Sequence, residues 1–340
     1  MINSTKPHST KSQTVRPFFH VLSSKKAESD EILILSGYDY FLQKKDLKQL
    51  LQKYYKIILV PRSVDDDLYL GTEIGKILTK YHKIHLVNNP IYDQQHQIIY
   101  HFAVKNSKVL RTNTVYEYCE TVLKKTYIPE SMDFYEEMTI TLRYFSIWTR
   151  FFKKSVDWGV GMLLLCCTSP LWLLAFFRIK SQSPGPAFYR QKRVGIRNNE
   201  FWCAKFRSMR LDAEQNGAQF SSKNDDRTFP FGKFMRTTRI DELPQLLNIV
   251  KGEMSLVGPR PERRIFTDAF EENMLHYAQR HVVKPGISGY AQVMYPYGAG
   301  VRDARHKLMY DLYYIKNWSV GLEMEIIWKT VWIVLFKKGL

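Results

Sequence analysis

The sequence predicts an α/β protein of two units: a small N-terminal unit on a Rossmann-like parallel sheet, and a larger membrane-associated α/β unit with a re-entrant helical hairpin. Three observations carry this reading. Strand-like and helical stretches alternate from Glu31 to Ser131; one run, Val156 to Phe177, is apolar enough to enter a bilayer; and an acidic pair, Asp241-Glu242, lies among arginines and rigid turns. At 340 residues the chain is long enough to bury a core in each unit.

Residues 1–30 are rich in Ser, Thr and Lys and lack an apolar core of signal-peptide length, so a flexible basic tail is expected. Residues 31–131 form the small unit. Apolar runs at Ile32 to Leu35, Ile57 to Val60 and Ile84 to Val87 read as strands, separated by helical stretches at Leu47 to Tyr55 and Leu70 to Tyr81, and the amphipathic stretch Val115 to Lys125 closes the unit. Gly71 and Gly75 lack the G-x-G-x-x-G spacing, so no nucleotide site is assigned here. His82 and His85 have a loose metal-ligand spacing without a partner cluster and read as strand-edge histidines. Residues 132–151 read as a helical connector rich in aromatics.

The second unit is expected over 152–340, with its hairpin at about 156–177. As a straight helix that run reaches roughly 33 Å, marginally enough to span. Lys153 and Lys154 flank one end and Arg178 and Lys180 the other, as expected if both ends face the cytoplasm. Ser169-Pro170 lies near the middle. Proline removes a helix hydrogen bond and the serine hydroxyl can satisfy the freed carbonyl, so a helix-break-helix hairpin is favoured over a span or a buried soluble helix. At the C-terminus, Ile326 to Phe336 is too short to span and carries Trp328 and Trp332 on one side, which reads as an interfacial helix.

Between these membrane elements lies the candidate chemistry. Ile240, Leu243, Leu247 and Val250 recur at helical spacing, Gly252 caps the end, and Pro244 fixes the start, which puts Asp241 at or beside the N-cap. The field of the helix terminus should keep it ionised, as a metal ligand or a nucleophile for phosphoryl chemistry. An ordinary N-cap aspartate among surface arginines has the same local pattern. The loop Gly258-Pro259-Arg260-Pro261 tips the balance, because two prolines restrict the backbone around one guanidinium. A net charge of +17 with 14% aromatics calls for an anionic partner. The four cysteines show no C-x-x-C spacing and read as reduced thiols.

Taken together, the region from about Phe152 onward resembles the bacterial sugar transferases, the monotopic phosphoglycosyl transferases. The matching stretches are Ser183-Pro-Gly-Pro with Tyr189-Arg-Gln-Lys-Arg-Val-Gly195, Lys205-Phe-Arg-Ser-Met209, Arg236 with Asp241-Glu-Leu-Pro-Gln245, Gly252-Glu-Met-Ser-Leu-Val-Gly-Pro-Arg-Pro261, and Lys284-Pro-Gly-Ile-Ser-Gly289. The resemblance implies transfer of a sugar 1-phosphate from a nucleotide sugar, usually a uridine one, to a polyprenyl phosphate such as undecaprenyl phosphate. This opens exopolysaccharide, capsule, O-antigen or glycoconjugate synthesis on the cytoplasmic leaflet of a bacterial inner membrane.

It further implies that Asp241 is the nucleophile and lies close to Mg²⁺, that Glu242 is required beside it, and that Ser169-Pro170 breaks the re-entrant helix. Arg236 and Arg260, joined here by Arg239, Lys205 and Arg207, are the expected phosphate and nucleotide contacts. A catalytically inactive membrane scaffold is the alternative, which loss of the acidic pair or of Arg260 would favour; all three residues are present. Nucleic acid is set aside, because the basic residues do not form one continuous patch interleaved with aromatics.

Overall fold

The computed structural model describes residues 20–24, 27–38, 41–61, 74–89, 93–106, 109–129, 146–215, 217, 225–274, 276–295, 298 and 300–336. The chain divides into two compact units, Met1–Leu123 and Lys124–Leu340.

In the first unit, strands β2 (Ile32–Tyr38), β3 (Lys56–Pro61), β4 (Lys83–Asn88) and β5 (Val109–Thr114) run parallel in the order β3-β2-β4-β5. Helices α1 (Lys44–Lys53), α2 (Asp93–Asn106) and α3 (Val115–Thr121) join them, and residues 74–78 are helical. Ile32 to Leu35 are all buried because both sheet faces are covered, so this strand reads as a continuous apolar run rather than an alternation. On one face Ile34, Ile58 and Leu86 pack with Ile74, Leu78, Ile99 and Ala103.

Two strands depart from the sequence expectation. β1 (His20–Ser23) falls within the segment read as tail and pairs antiparallel with β3, its backbone bonds rather than its composition holding it there. β5 carries Arg111, Thr112 and Asn113 and lies at the sheet edge, where half-exposure removes the apolar signal. His85 is buried and bonded on both ring nitrogens, to Tyr54 Oη at 2.7 Å and Asn113 Oδ1 at 2.8 Å. Residues 70–73 of the second expected helix and 132–145 of the expected connector lie outside the described residues.

The first described helix of the second unit is α4 (Ile147–Gln182), a helix of 36 residues, long and apolar enough by length and composition to cross a membrane. The separate helices expected on either side of Ser169-Pro170 are one continuous helix instead. The reason is local: Pro170 cannot donate to the carbonyl four residues back, Cys166, and Ser169 Oγ donates to that carbonyl at 2.8 Å. The serine therefore repairs the defect that the proline creates. Both ends of α4 pack within this unit. Asp157 Oδ1 accepts from the Leu256 amide at 3.1 Å and Gly161 faces Ile249 and Val250, while Ala175 and Ile179 join a core with Phe206, Phe229 and Met235. Between them, Met162, Leu163, Leu171 and Leu173 are exposed.

Hairpin strands β6 (Phe188–Val194) and β7 (Glu200–Phe206) are followed by α5 (Pro230–Thr238), a 3₁₀ turn at Ile240–Glu242 and α6 (Gln245–Val250). After β8 (Ser255–Val257) come α7 (Arg264–Glu271), a 3₁₀ segment at Tyr277–Val282 and β9 (Gly286–Ser288), parallel to β8. The chain then runs through α8 (Tyr290–Met294), α9 (Val301–Lys316) and α10 (Val320–Leu335). Glu323 of α10 ties three helices together: its Oε1 takes Lys153 Nζ at 2.5 Å, Tyr314 Oη at 2.7 Å and Trp318 Nε1 at 2.7 Å. On α10, Ile326 is buried while Trp328 and Trp332 are exposed, as its one-sided aromatic pattern predicts.

Strands β8 and β9 approach so closely that a Cβ at Gly286 would overlap the Gly258 amide and the Val257 carbonyl carbon. Gly286→Ala is therefore expected to lower folding stability by about 2–3 kcal/mol. Gly159→Ala, where a Cβ meets nothing within 4 Å, should be neutral or slightly stabilising. Denaturant unfolding of the detergent-solubilised protein checks both.

Candidate active site

Helix α5 starts with Pro230 in its first turn and ends at Arg239, which takes a left-handed conformation at φ 60° and ψ 13°. A left-handed non-glycine residue is costly, on the order of 1 kcal/mol, and it turns the chain sharply into the 3₁₀ turn that carries the acidic pair. Here the structure corrects the expected N-cap. Asp241 lies inside the 3₁₀ turn, and α6 begins only at Gln245, after Pro244. Pro244 has no N–H to give Ile240, so an α-helical ladder cannot start before it, and the Glu242 and Leu243 amides bond to Arg239 and Ile240 carbonyls, each at 3.1 Å. Those amides are spent and supply no helix-terminal field.

Both acids are buried, Asp241 to 7% exposure and Glu242 to 5%. Their surroundings differ. Glu242 Oε1 lies 2.5 Å from Arg260 Nη2, 3.3 Å from Lys205 Nζ and 4.0 Å from Arg239 Nη1. Burial works against its charge, but Arg260, Lys205 and Arg239 outweigh that and hold the carboxyl well below the usual range. Asp241 Oδ1 is buried and makes no hydrogen bond. Burial, then the charge of Glu242, push Asp241 up to about 6, opposed by Lys205, Arg239 and Arg236. Burial thus reverses the direction expected from a helix terminus. At neutral pH one carboxylate is locked among cations and its neighbour is ionised with a free oxygen, two environments that set two roles.

The pair lies on a cavity of about 530 Å³, whose described lining includes all of Lys205, Arg207, Arg236, Arg239, Asp241, Glu242 and Arg260. Cations predominate there, eleven Lys or Arg against five Asp or Glu. The seven residues are not equivalent. Arg207 is buried and committed to the preceding turn, donating to Pro186 O at 2.6 Å, Ser183 Oγ at 2.7 Å and Ser183 O at 2.8 Å. Arg236 lies 3.7 Å from Asp225, which Arg227 also binds, at 2.6 Å. Lys205 and Arg260 touch Glu242 directly.

The model of the family described as bacterial sugar transferase matches residues 148–337, more than half of the chain. The chain belongs to the bacterial sugar transferase family. It is 46% identical over 185 residues to the UDP-N-acetylgalactosamine-undecaprenyl-phosphate N-acetylgalactosaminephosphotransferase of Aeromonas hydrophila, covering 54% of this chain and 44% of that protein. To the UDP-glucose:undecaprenyl-phosphate glucose-1-phosphate transferase of Xanthomonas campestris pv. campestris it is 44% identical over 189 residues, covering 55% and 39%. The protein of the same description from Caulobacter vibrioides is 38% identical over 181 residues, covering 53% of this chain and 68% of its own. The chain thus spans less than half the length of the first two relatives.

In this family member, sequence reasoning missed several charged residues on the cavity: Arg193, Arg280, Lys307 and Asp311. Asp311 had a usable signal, a carboxylate inside the apolar run Tyr310 to Ile315, where only a paired charge is tolerated.

Because the fold raises the Asp241 pKa, its ionisation costs stability, and that cost grows as pH rises from about 4 towards 6 and is complete above it. Asp241→Asn removes the charge. It should raise stability at pH 8 by up to about 2–3 kcal/mol and leave it unchanged near pH 4, as read from unfolding midpoints across pH.

Proposed function

We propose that this protein transfers a sugar 1-phosphate from a UDP-sugar to polyprenyl (undecaprenyl) phosphate on the cytoplasmic side of a bacterial inner membrane, through a covalent phosphosugar on Asp241. The observation that carries this is the free, buried Oδ1 of Asp241 beside a cation-locked Glu242 on a basic cavity. The names of the relatives specify the same donor and acceptor classes for those proteins.

In the first half-reaction the Asp241 carboxylate attacks the phosphorus that bears the sugar. The new O–P bond forms as the P–O bond to uridine monophosphate breaks, and the electron pair leaves with the monophosphate. In the second, an oxygen of polyprenyl phosphate attacks the same phosphorus and the Asp241 carboxylate departs. Like charges oppose both attacks, so cations must neutralise the phosphate oxygens. Arg236, Arg239, Arg260 and Lys205 line the cavity in position to do so. Glu242 holds Arg260 and Lys205 there by two contacts of 2.5 and 3.3 Å.

Magnesium fits this donor set. Mg²⁺ ordinarily takes one or two carboxylates together with substrate phosphate oxygens, and the cavity offers the Asp241 carboxylate beside the place of the diphosphate. Asp241, on the lining of the cavity, would hold it. The ion would supply further charge neutralisation at the diphosphate.

That both ends of the continuous helix α4 lie on one side of the membrane is supported by its packing. In a straight span, Asp157 and Ile179 would stand roughly 33 Å apart along the bilayer normal. Both are buried in the same unit, which supports both ends of α4 lying on one side of the membrane. Exposed Leu163, Leu173 and Leu174 then face lipid, and Trp328 and Trp332 of α10 suit the interface.

The test is release of uridine monophosphate from a panel of UDP-sugars by purified protein in detergent with Mg²⁺ and undecaprenyl phosphate. Release with one sugar that falls at least about 10³-fold in Asp241→Asn is expected. No release with any donor would favour the scaffold reading, and full activity in the variant would remove Asp241 from the mechanism.

A further inference from the structure

The loop that carries Arg260 is pinned at four successive carbonyls. Gly286 N donates to Pro259 O at 3.0 Å, Arg280 Nη2 to Arg260 O at 2.8 Å, Arg193 Nη1 to Pro261 O at 3.0 Å, and Val194 N to Glu262 O at 2.9 Å. Two of these donors are backbone amides of neighbouring strands. The other two are arginine side chains, and the one on Arg260 itself is the more buried, at 5% side-chain exposure against 16% for Arg193.

Prolines 259 and 261 fix their own φ and supply no N–H, so the loop cannot hold itself by local turn bonds there. The ψ torsion of Arg260 is not fixed by either ring, and it sets the direction of the carbonyl that Arg280 binds. Arg280 is held in turn. Its Nη2 lies 2.9 Å from Asp311 Oδ2, and its Nη1 donates to Tyr277 Oη at 2.6 Å. Asp311 is 2% exposed on α9, so the ion pair is anchored in a helix rather than a loop. At the far end, Arg260 Nη2 meets Glu242 Oε1 at 2.5 Å.

We propose that Arg280, anchored by Asp311, is a positioning residue that acts through the Arg260 main chain to set the Arg260 guanidinium against Glu242. This rests on the transferase reading for its kinetic consequence, but not for its geometry. A buried arginine has several backbone carbonyls it can satisfy. This one binds the carbonyl of the residue whose side chain reaches the acidic pair, and its own carboxylate partner lines the same cavity. A lysine at 280 keeps the charge but loses the planar fork that reaches Tyr277 and the Arg260 carbonyl together.

The experiment is a double-mutant cycle on the full chain in detergent, combining Arg280→Lys with Arg260→Ala, with Asp311→Asn as a second entry into the same pair. In the wild-type background Arg280→Lys should lower kcat/KM about 10- to 100-fold, mainly through kcat, with the melting temperature little changed. In the Arg260→Ala background the same change should cost less than about 3-fold, because the residue through which it acts is gone. Equal losses in both backgrounds, or no loss in the first, would overturn the proposal.

Peptide-level hydrogen exchange over residues 256–263 supplies an arm that needs no activity. Exchange there should quicken in Arg280→Lys and Asp311→Asn and stay unchanged over β7, which makes no bond to the loop carbonyls. An unaltered loop would overturn the positioning role. A wild-type protein that turns over no donor would instead sink the transferase reading, and the exchange result would still decide this one.

Discussion

Three cations from three separate segments converge on Oε1 of Glu242: Lys205 from β7, Arg239 from the left-handed turn after α5, and Arg260 from the loop after β8. A buried carboxylate loses several kcal/mol of hydration, more than one ion pair reliably restores. With three cations around it, Glu242 remains charged, and the attraction draws strand, turn and loop to a single point. Asp241 next to it is then forced into the opposite condition. It shares the desolvation and feels its neighbour's negative charge, but Oδ1 has no hydrogen-bond partner. A carboxylate oxygen is left unbonded beside a residue that has gathered three cations.

The rest of the second unit serves to hold that convergence steady. Backbone contact between β8 and β9 leaves room only for hydrogen at Gly258 and Gly286, which fixes the base of the Arg260 loop. Arg207 locks the turn at Ser183 to Pro186, which links the end of α4 to the hairpin that carries Lys205. Glu323 ties α4, α9 and α10 through Lys153, Tyr314 and Trp318. The long apolar helix α4 and the charged cavity are thus parts of one packed body, and in the reaction proposed above that body would bring a water-soluble donor and a lipid-borne acceptor to the same carboxylate.

Much of this was legible in the sequence where the signal was local. Apolar runs marked β2, β3 and β4, and the Pro-Arg-Pro loop announced a restrained guanidinium. All seven charged residues singled out line the one cavity. What was not legible depended on long-range packing. Glu242 gives no sequence sign that it will face three cations while Asp241 faces none at hydrogen-bond distance. Arg207 looks like a phosphate ligand until its bonds to Ser183 and Pro186 are seen. Pro244 points to an N-cap at or beside Asp241, whereas its missing N–H delays the α ladder to Gln245 and leaves a 3₁₀ turn before it. β5 went unseen because an edge strand need not be apolar.

The central claim, that the unbonded oxygen of Asp241 is the group that takes the phosphosugar, is tested most directly by intact-mass and peptide analysis. The protein would be incubated with its UDP-sugar and Mg²⁺, without polyprenyl phosphate, and quenched rapidly. The account predicts a mass increment of one sugar phosphate on the peptide containing Asp241, discharged when undecaprenyl phosphate is added and missing in Asp241→Asn. Turnover with no adduct on that peptide, or an adduct on another residue, would contradict it.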